Sequence, residues 1–253
     1  MKSPLLSLIL LLLLTPFAVA RTSDGDSVAQ ARAMLEPYVW SQAIIIRNPR
    51  RAGNLPTRVQ AAVFSFQGVL WLYIPSEGTR SLSHRRGRLD IDRANLLPLL
   101  QEIHSGFAGY EVVPSSGLGA ETKAFPKLRN GCFIESLHAL VRLMDQGVTP
   151  SEAGLFTVYV QGPKGPQGHT GLYYQTSAGR FFWDPDRPEA PLRVGGGLND
   201  RDQMAREVRS DARWDILRTH VIPVEGDPRQ PAWDRPVARA EGVTVGLERF
   251  RFS

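Results

Sequence analysis

Cys132 is the only cysteine among 253 residues, and its neighbours are those a nucleophilic thiol would need. It stands in Arg129-Asn130-Gly131-Cys132-Phe133-Ile134-Glu135, where a turn-prone pair gives way to an apolar, helix-periodic run. His169 follows 37 residues later, behind Gly168, and Asp184 closes Phe181-Phe182-Trp183-Asp184 another 15 residues on. A thiol attacks as its thiolate, which unpaired N–H groups at a helix start favour. An imidazole takes the thiol proton, and a carboxylate fixes the tautomer and orientation of that imidazole. Cysteine, histidine and aspartate in this order therefore point to acyl transfer through a thioester, with the helix-start N–H groups holding the oxyanion.

Three further side chains are candidates for supporting parts. Gln161 and Gln167 flank the approach to His169 and could donate to an oxyanion, and Glu135 stands within one helical turn of Cys132. His84, His104 and His220 show no ligand spacing with one another or with the cysteine, so no metal site is expected. Gly195-Gly196-Gly197 lacks the lysine and strand–helix context of a phosphate loop and reads as a connection.

The elements that must position these residues follow from hydrophobic period. Helices are expected over 26–38, from Asp90 or Asp92 to about 104, over 133–144 and over 200–209. Strands are expected over 40–47, 59–66, 69–74, 109–113, 155–160, 172–175, 180–183 and 214–224. Gln67-Gly68 and Ser177-Ala178-Gly179 mark hairpin turns. Residues 76–87 read as a polar, arginine-rich loop and 162–168 as a loop leading into His169, which would then open its strand. The 59–74 hairpin and the loop after it are expected to shape the cleft.

The first twenty residues have the form of a secretory signal peptide: Lys2, an apolar run from Leu5 to Leu14, and a small-residue site ending at Ala20. The run is too short for a spanning helix, so no transmembrane span is expected after cleavage. The chain is expected to be exported, to a periplasm or the medium, with residues 21–253 as a single domain carrying an N-terminal extension. One cysteine excludes an intramolecular disulfide framework. The formal charge of +5 suits anionic surroundings, but neither arginine cluster, at 47–51 or 85–88, has an interleaved aromatic platform. Nucleic acid is therefore not expected as a partner.

Gly131-Cys132, His169 and Trp183-Asp184-Pro185 together resemble the papain-like superfamily, most closely its transglutaminase-like branch. In that branch a Gly-containing turn precedes the cysteine on a helix, a strand starts with histidine, and an aromatic-rich strand ends in Asp-Pro. The likeness covers about residues 128 to 186. It implies an α+β fold, with the cysteine helix packed on an antiparallel sheet, and a cofactor-free Cys132–His169–Asp184 triad. It also implies a protein or peptide substrate of the cell envelope, with water or an amine resolving the thioester. Two places depart from the pattern: the aromatic beside the cysteine is Phe133, on the following side, and the histidine is followed by Thr170-Gly171 rather than an apolar-aromatic pair.

The spacing is also similar to that of arylamine N-acetyltransferases. There the arginine lies one position farther from the cysteine than Arg129 does, and the acid falls at plus two, where Glu135 falls at plus three. A secreted cysteine peptidase of another papain-like branch is the nearer rival. A non-catalytic exported binding or assembly module keeping the fold is the alternative outside enzymology.

Overall fold

A computed structural model of the chain describes residues 24–36, 38–49, 54–67, 69–82, 96–113, 127–163, 165–209 and 215–228. The signal-peptide expectation for residues 1–20 and the helix start at Asp90 or Asp92 lie outside them.

The described residues form ten strands and four helices. The first half contains α1 (Asp24–Leu35), β1 (Ser41–Arg47), β2 (Arg58–Phe66), β3 (Val69–Ile74), β4 (Gly78–Leu82), α2 (Leu96–Ile103) and β5 (Gly109–Val112). Then come α3 (Cys132–Asp145), β6 (Glu152–Gly162), β7 (Gly165–Thr176), β8 (Gly179–Asp184), β9 (Arg187–Arg193), α4 (Arg201–Val208) and β10 (Ile216–Pro223). The strands make two five-stranded sheets, ordered β4-β3-β2-β1-β5 and β10-β6-β7-β8-β9, every ladder antiparallel. No helix of the described residues is long and apolar enough to cross a membrane.

This overturns the expected α+β, papain- or transglutaminase-like core with the cysteine helix packed on an antiparallel sheet: the described residues are mostly strand, in two antiparallel sheets with few helices, and that helix-on-sheet arrangement is not what they show. The extra strand comes from segments whose side chains carry no strand signal. Gly78–Leu82, within the expected arginine-rich loop, pairs with β3 from Leu70↔Leu82 to Ile74↔Gly78. Arg187–Arg193, with every residue exposed, pairs with β8. Gly162–Gly168, expected as loop, belongs almost entirely to the β6–β7 hairpin, whose ladder closes at Gly162↔Gly165. A sheet edge needs backbone partners rather than apolar side chains, so period-2 hydrophobicity misses it. His169 is thus the fifth residue of β7 and does not open it.

The first sheet is buried on both faces. Ile44, Ile46, Val59, Ala61, Val63, Leu70, Leu72 and Ile74 point to α2, meeting Leu96, Leu99 and Leu100. The alternate residues Ala43, Ala62, Phe64, Phe66, Trp71 and Tyr73 enter a second cluster with α1, α3 and Leu155, Leu172 and Tyr174 of the other sheet. Within it, Phe133 lies among Phe64, Phe66 and Trp71, with ring centroids 6.1, 6.2 and 4.6 Å away. Each fully buried side chain of this size contributes about 1.5–3 kcal/mol. The far face of the second sheet closes on Met204 and Ala205 of α4.

Candidate active site

The turn before Cys132 is held from three sides. Tyr73 Oη donates to Arg129 O at 2.7 Å, and Asn130 Nδ2 donates to Pro75 O at 2.8 Å. Asn130 has φ +52°, a left-handed conformation that asparagine tolerates better than most residues. Gly131 is the helix N-cap, and a Cβ there would lie 2.2 Å from Leu128 Cβ, so only glycine fits. Glu135, buried in the first turn of α3, accepts the Leu128 N–H at 2.5 Å, while its own N–H donates to Gly131 O. Cys132 is the first residue of α3 and partly accessible. The N–H groups of the first turn ahead of Glu135 have no partner within the helix.

The histidine and aspartate come from β7 and β8. Their ladder pairs Thr176 with Gly179 and ends at Leu172↔Trp183. Continued one step, that register sets Asp184 opposite Gly171, two residues from His169 and on the same face. His169 Nε2 and Asp184 Oδ1 are 2.8 Å apart. Gly171 makes room for this: a Cβ there would lie 2.1 Å from Phe182 Cζ and 2.7 Å from Trp183 O. Beyond the end of the ladder, α3 takes over the edge of β7, Ser136 Oγ donating to Thr170 O at 3.2 Å. The Thr170 hydroxyl, buried, meets the Thr157 hydroxyl at 2.8 Å. The Thr170-Gly171 pair that departs from the family pattern is therefore a local requirement here.

His169 is electrostatically coupled to Cys132 as well as to Asp184, so the three expected residues act on one imidazole. Burial of His169 works against its charge, but hydrogen bonds to Asp184 and Cys132 and their negative charge outweigh it and raise its pKa to about 10. Burial likewise opposes ionisation of Asp184. Its bond to the charged imidazole and the Asp186 N–H, which donates to Oδ1 at 2.8 Å, hold it below the usual carboxylate range. With Nε2 on Asp184, Nδ1 is the ring nitrogen that remains for the sulfur.

The supporting candidates lie elsewhere. Gln161 and Gln167 are exposed near the tip of the β6–β7 hairpin; Gln161 Nε2 donates to Gly162 O at 3.4 Å, and the Gln167 amide covers Gly162. Glu135 braces the turn behind the cysteine, and burial pushes its pKa up against the Leu128 N–H and the Lys127 ammonium. The hairpin β2–β3 reaches the site through Tyr73 and Trp71. His104 pairs with Glu77 at 3.1 Å.

Two neighbours escaped the sequence reading. Lys127 donates to Pro185 O at 3.2 Å and pairs with Asp186 Oδ1, joining the cysteine turn to the turn after Asp184. Asp186 Oδ2 lies 3.7 Å from His169 Nδ1. The acid two places beyond Asp184 was visible in the sequence, but nothing there ties it to a lysine 59 residues away.

Comparison with protein families, curated proteins and solved structures yields no match for this chain.

Proposed function

We propose that this chain is an exported thiol-dependent acyl-transfer enzyme acting on amides or esters, by chemistry similar to that of the transglutaminase-like and papain-like enzymes. The observation that carries the reading is the His169–Asp184 pair at 2.8 Å, its imidazole coupled to Cys132 at the N-terminus of α3.

His169 takes the proton of the Cys132 thiol, and the Asp184 carboxylate stabilises the imidazolium so formed. The sulfur attacks the substrate carbonyl carbon, and the carbonyl electron pair moves to oxygen. The unpaired N–H groups of the first turn of α3 are the donors closest in the chain to that developing charge. His169 then passes its proton to the departing amine or alcohol, leaving a thioester on Cys132. A water or a second amine, deprotonated by His169, attacks the thioester and restores the thiolate. Asp184 stays ionised throughout and keeps Nδ1 directed at the sulfur. No cofactor is required for this sequence of steps.

Iodoacetamide alkylation of Cys132 as a function of pH tests the reading. Rapid labelling well below the ~8.5 pKa of a free thiol, lost in His169→Ala, is expected. Slow labelling that His169→Ala leaves unchanged rejects the enzyme and favours the binding or assembly module.

A further inference from the structure

β1 ends on a basic residue set directly against another. Arg47 stands opposite Arg58 of β2 on one side and Gly109 of β5 on the other, so the three form one row on one face. Like charges directly opposite destabilise a sheet. Arg58 is relieved, its Nη2 lying 3.1 Å from Glu111 Oε2. The Arg47 side chain has no hydrogen-bond or ion-pair partner among the described residues. Its guanidinium lies where a side chain at 109 would stand, a Cβ there coming 2.7 Å from Nη2 and 3.1 Å from Nε. Beside it is a cavity of about 510 Å³, lined by Arg47, Pro49, Thr57, Arg58 and Ala108. That volume falls within the range of small-molecule sites. Buried Asn48 fixes the walls: its N–H donates to Thr57 O at 2.7 Å, and its Nδ2 donates to Leu55 O at 3.2 Å and Pro56 O at 3.1 Å. On the other side the Ala108 N–H donates to Arg47 O at 2.9 Å.

We propose that this cavity binds the phosphate monoester group of a small molecule or lipid, held between the guanidinium groups of Arg47 and Arg58. A guanidinium presents its N–H donors as a rigid fork that matches phosphate oxygens two at a time. Two such forks in one row suit a doubly charged group better than a singly charged carboxylate. Arg47 and Arg58 against Glu111 leave one positive charge uncompensated at the cavity. The Arg58–Glu111 pair is exposed, a kind that contributes little in water, so Arg58 can exchange a carboxylate oxygen for a phosphate oxygen. An anion lying between the two arginines offsets their repulsion. Glycine at 109 leaves the backbone bare, which lets the Arg47 guanidinium rest against β5 at the cavity wall. The residues belong to the first sheet and its loops, and none is part of the Cys132 cluster, so the inference is independent of the proposed reaction.

The test is calorimetric titration of the whole chain with glycerol 3-phosphate and, at equal ionic strength, with acetate and with chloride. Saturable heat is expected with glycerol 3-phosphate alone. Arg47→Gln lowers that affinity roughly 10-fold or more. Gly109→Ala, which pushes the flexible guanidinium aside, lowers it less, circular dichroism showing both variants folded. Without ligand, Arg47→Gln is expected to melt no lower than the wild type, because it removes the opposed charges. Absence of saturable heat in the wild type overturns the site, as does affinity unchanged in Arg47→Gln. Lost affinity in an Arg47→Gln chain that melts clearly lower makes Arg47 a structural support and also overturns it. Acetate bound as tightly as glycerol 3-phosphate overturns the phosphate assignment. Vesicles carrying phosphatidic acid distinguish the sources. Co-sedimentation that Arg47→Gln abolishes supports the site with a lipid ligand, and glycerol 3-phosphate binding without co-sedimentation supports it with a soluble one.

Discussion

The two sheets have the same strand number and the same antiparallel pairing, yet they handle their edges and faces differently. In the first, apolar side chains line both faces, one set clustering with residues of α2 and the other joining a cluster shared with the second sheet. Its edge strand β4 pairs with β3 from Leu70↔Leu82 to Ile74↔Gly78, along nearly all of β3. In the second sheet the β7–β8 ladder stops at Leu172↔Trp183, although β7 begins seven residues earlier at Gly165. The helix carrying the thiol occupies the vacated edge through Ser136 and Thr170. A filled ladder supplies rigidity, and the interrupted one supplies a place where a helix terminus, a strand interior and a strand end meet. Strand edges left without a strand partner are where unlike elements can be brought together.

Four experiments press on that contrast. The largest expected effect is chemical and confined to the interrupted sheet: His169→Ala or Cys132→Ala lowers turnover of an activated ester by ~10⁴-fold or more, with the melting curve still cooperative. Comparable damage to turnover per folded molecule from a first-sheet substitution would erase the distinction. Next, Phe64→Ala in the filled sheet costs about 3–5 kcal/mol in urea denaturation, while the alkylation rate of the folded fraction is retained. Smaller still, Gly171→Ala forces Phe182 and the β8 backbone outward at a cost of about 1–3 kcal/mol. This substitution is expected to slow alkylation as well, because Asp184 sits opposite position 171 in the continued register. A Gly171→Ala protein with unaltered alkylation would show that the aspartate is placed by something other than that register. The smallest effect is at the rim: Lys127 and Asp186 are both more than half exposed, so Lys127→Met changes stability by less than about 1 kcal/mol.

The ionisation of the site makes a further prediction with a definite sign. The imidazole binds its proton more tightly in the folded chain, so its stabilisation is complete below the ordinary histidine pKa of about 6.5. That stabilisation disappears as pH rises toward about 10. The depressed Asp184 carboxylate contributes above its ordinary pKa of about 3.9, and that contribution is lost on acidification. The difference in melting temperature between the wild type and His169→Ala should therefore peak between about pH 4 and 6.5. A difference that grows from pH 7 to 10 would contradict the His169–Asp184 ion pair.

Much of the site was legible in one dimension because its parts are local. A Gly131 turn entering an apolar 3.6-residue period sets the cysteine at a helix start. The Ser177-Ala178 turn between two strand-forming runs makes His169 and Asp184 near neighbours by register alone. Helix periodicity, turn chemistry and hairpin pairing all act over a few residues, so composition and spacing determine them. The fold class was not legible in the same way: β4, β9 and the Gly165–Gly168 start of β7 are built from polar, Gly-, Pro- and Arg-containing segments that carry no alternating apolar pattern. Their strand character comes from backbone groups finding a neighbouring backbone, a partner that hydrophobic pattern does not encode. The same holds for Asp186 and Lys127, whose pairing required the turn at 127–131 and the turn at 184–187 to meet across the fold. By itself the sequence determined which residues could do thiol chemistry and on which local elements they stand. Only the tertiary structure decided that β8 ends where α3 begins to pack, because that meeting depends on contacts between residues far apart in the chain.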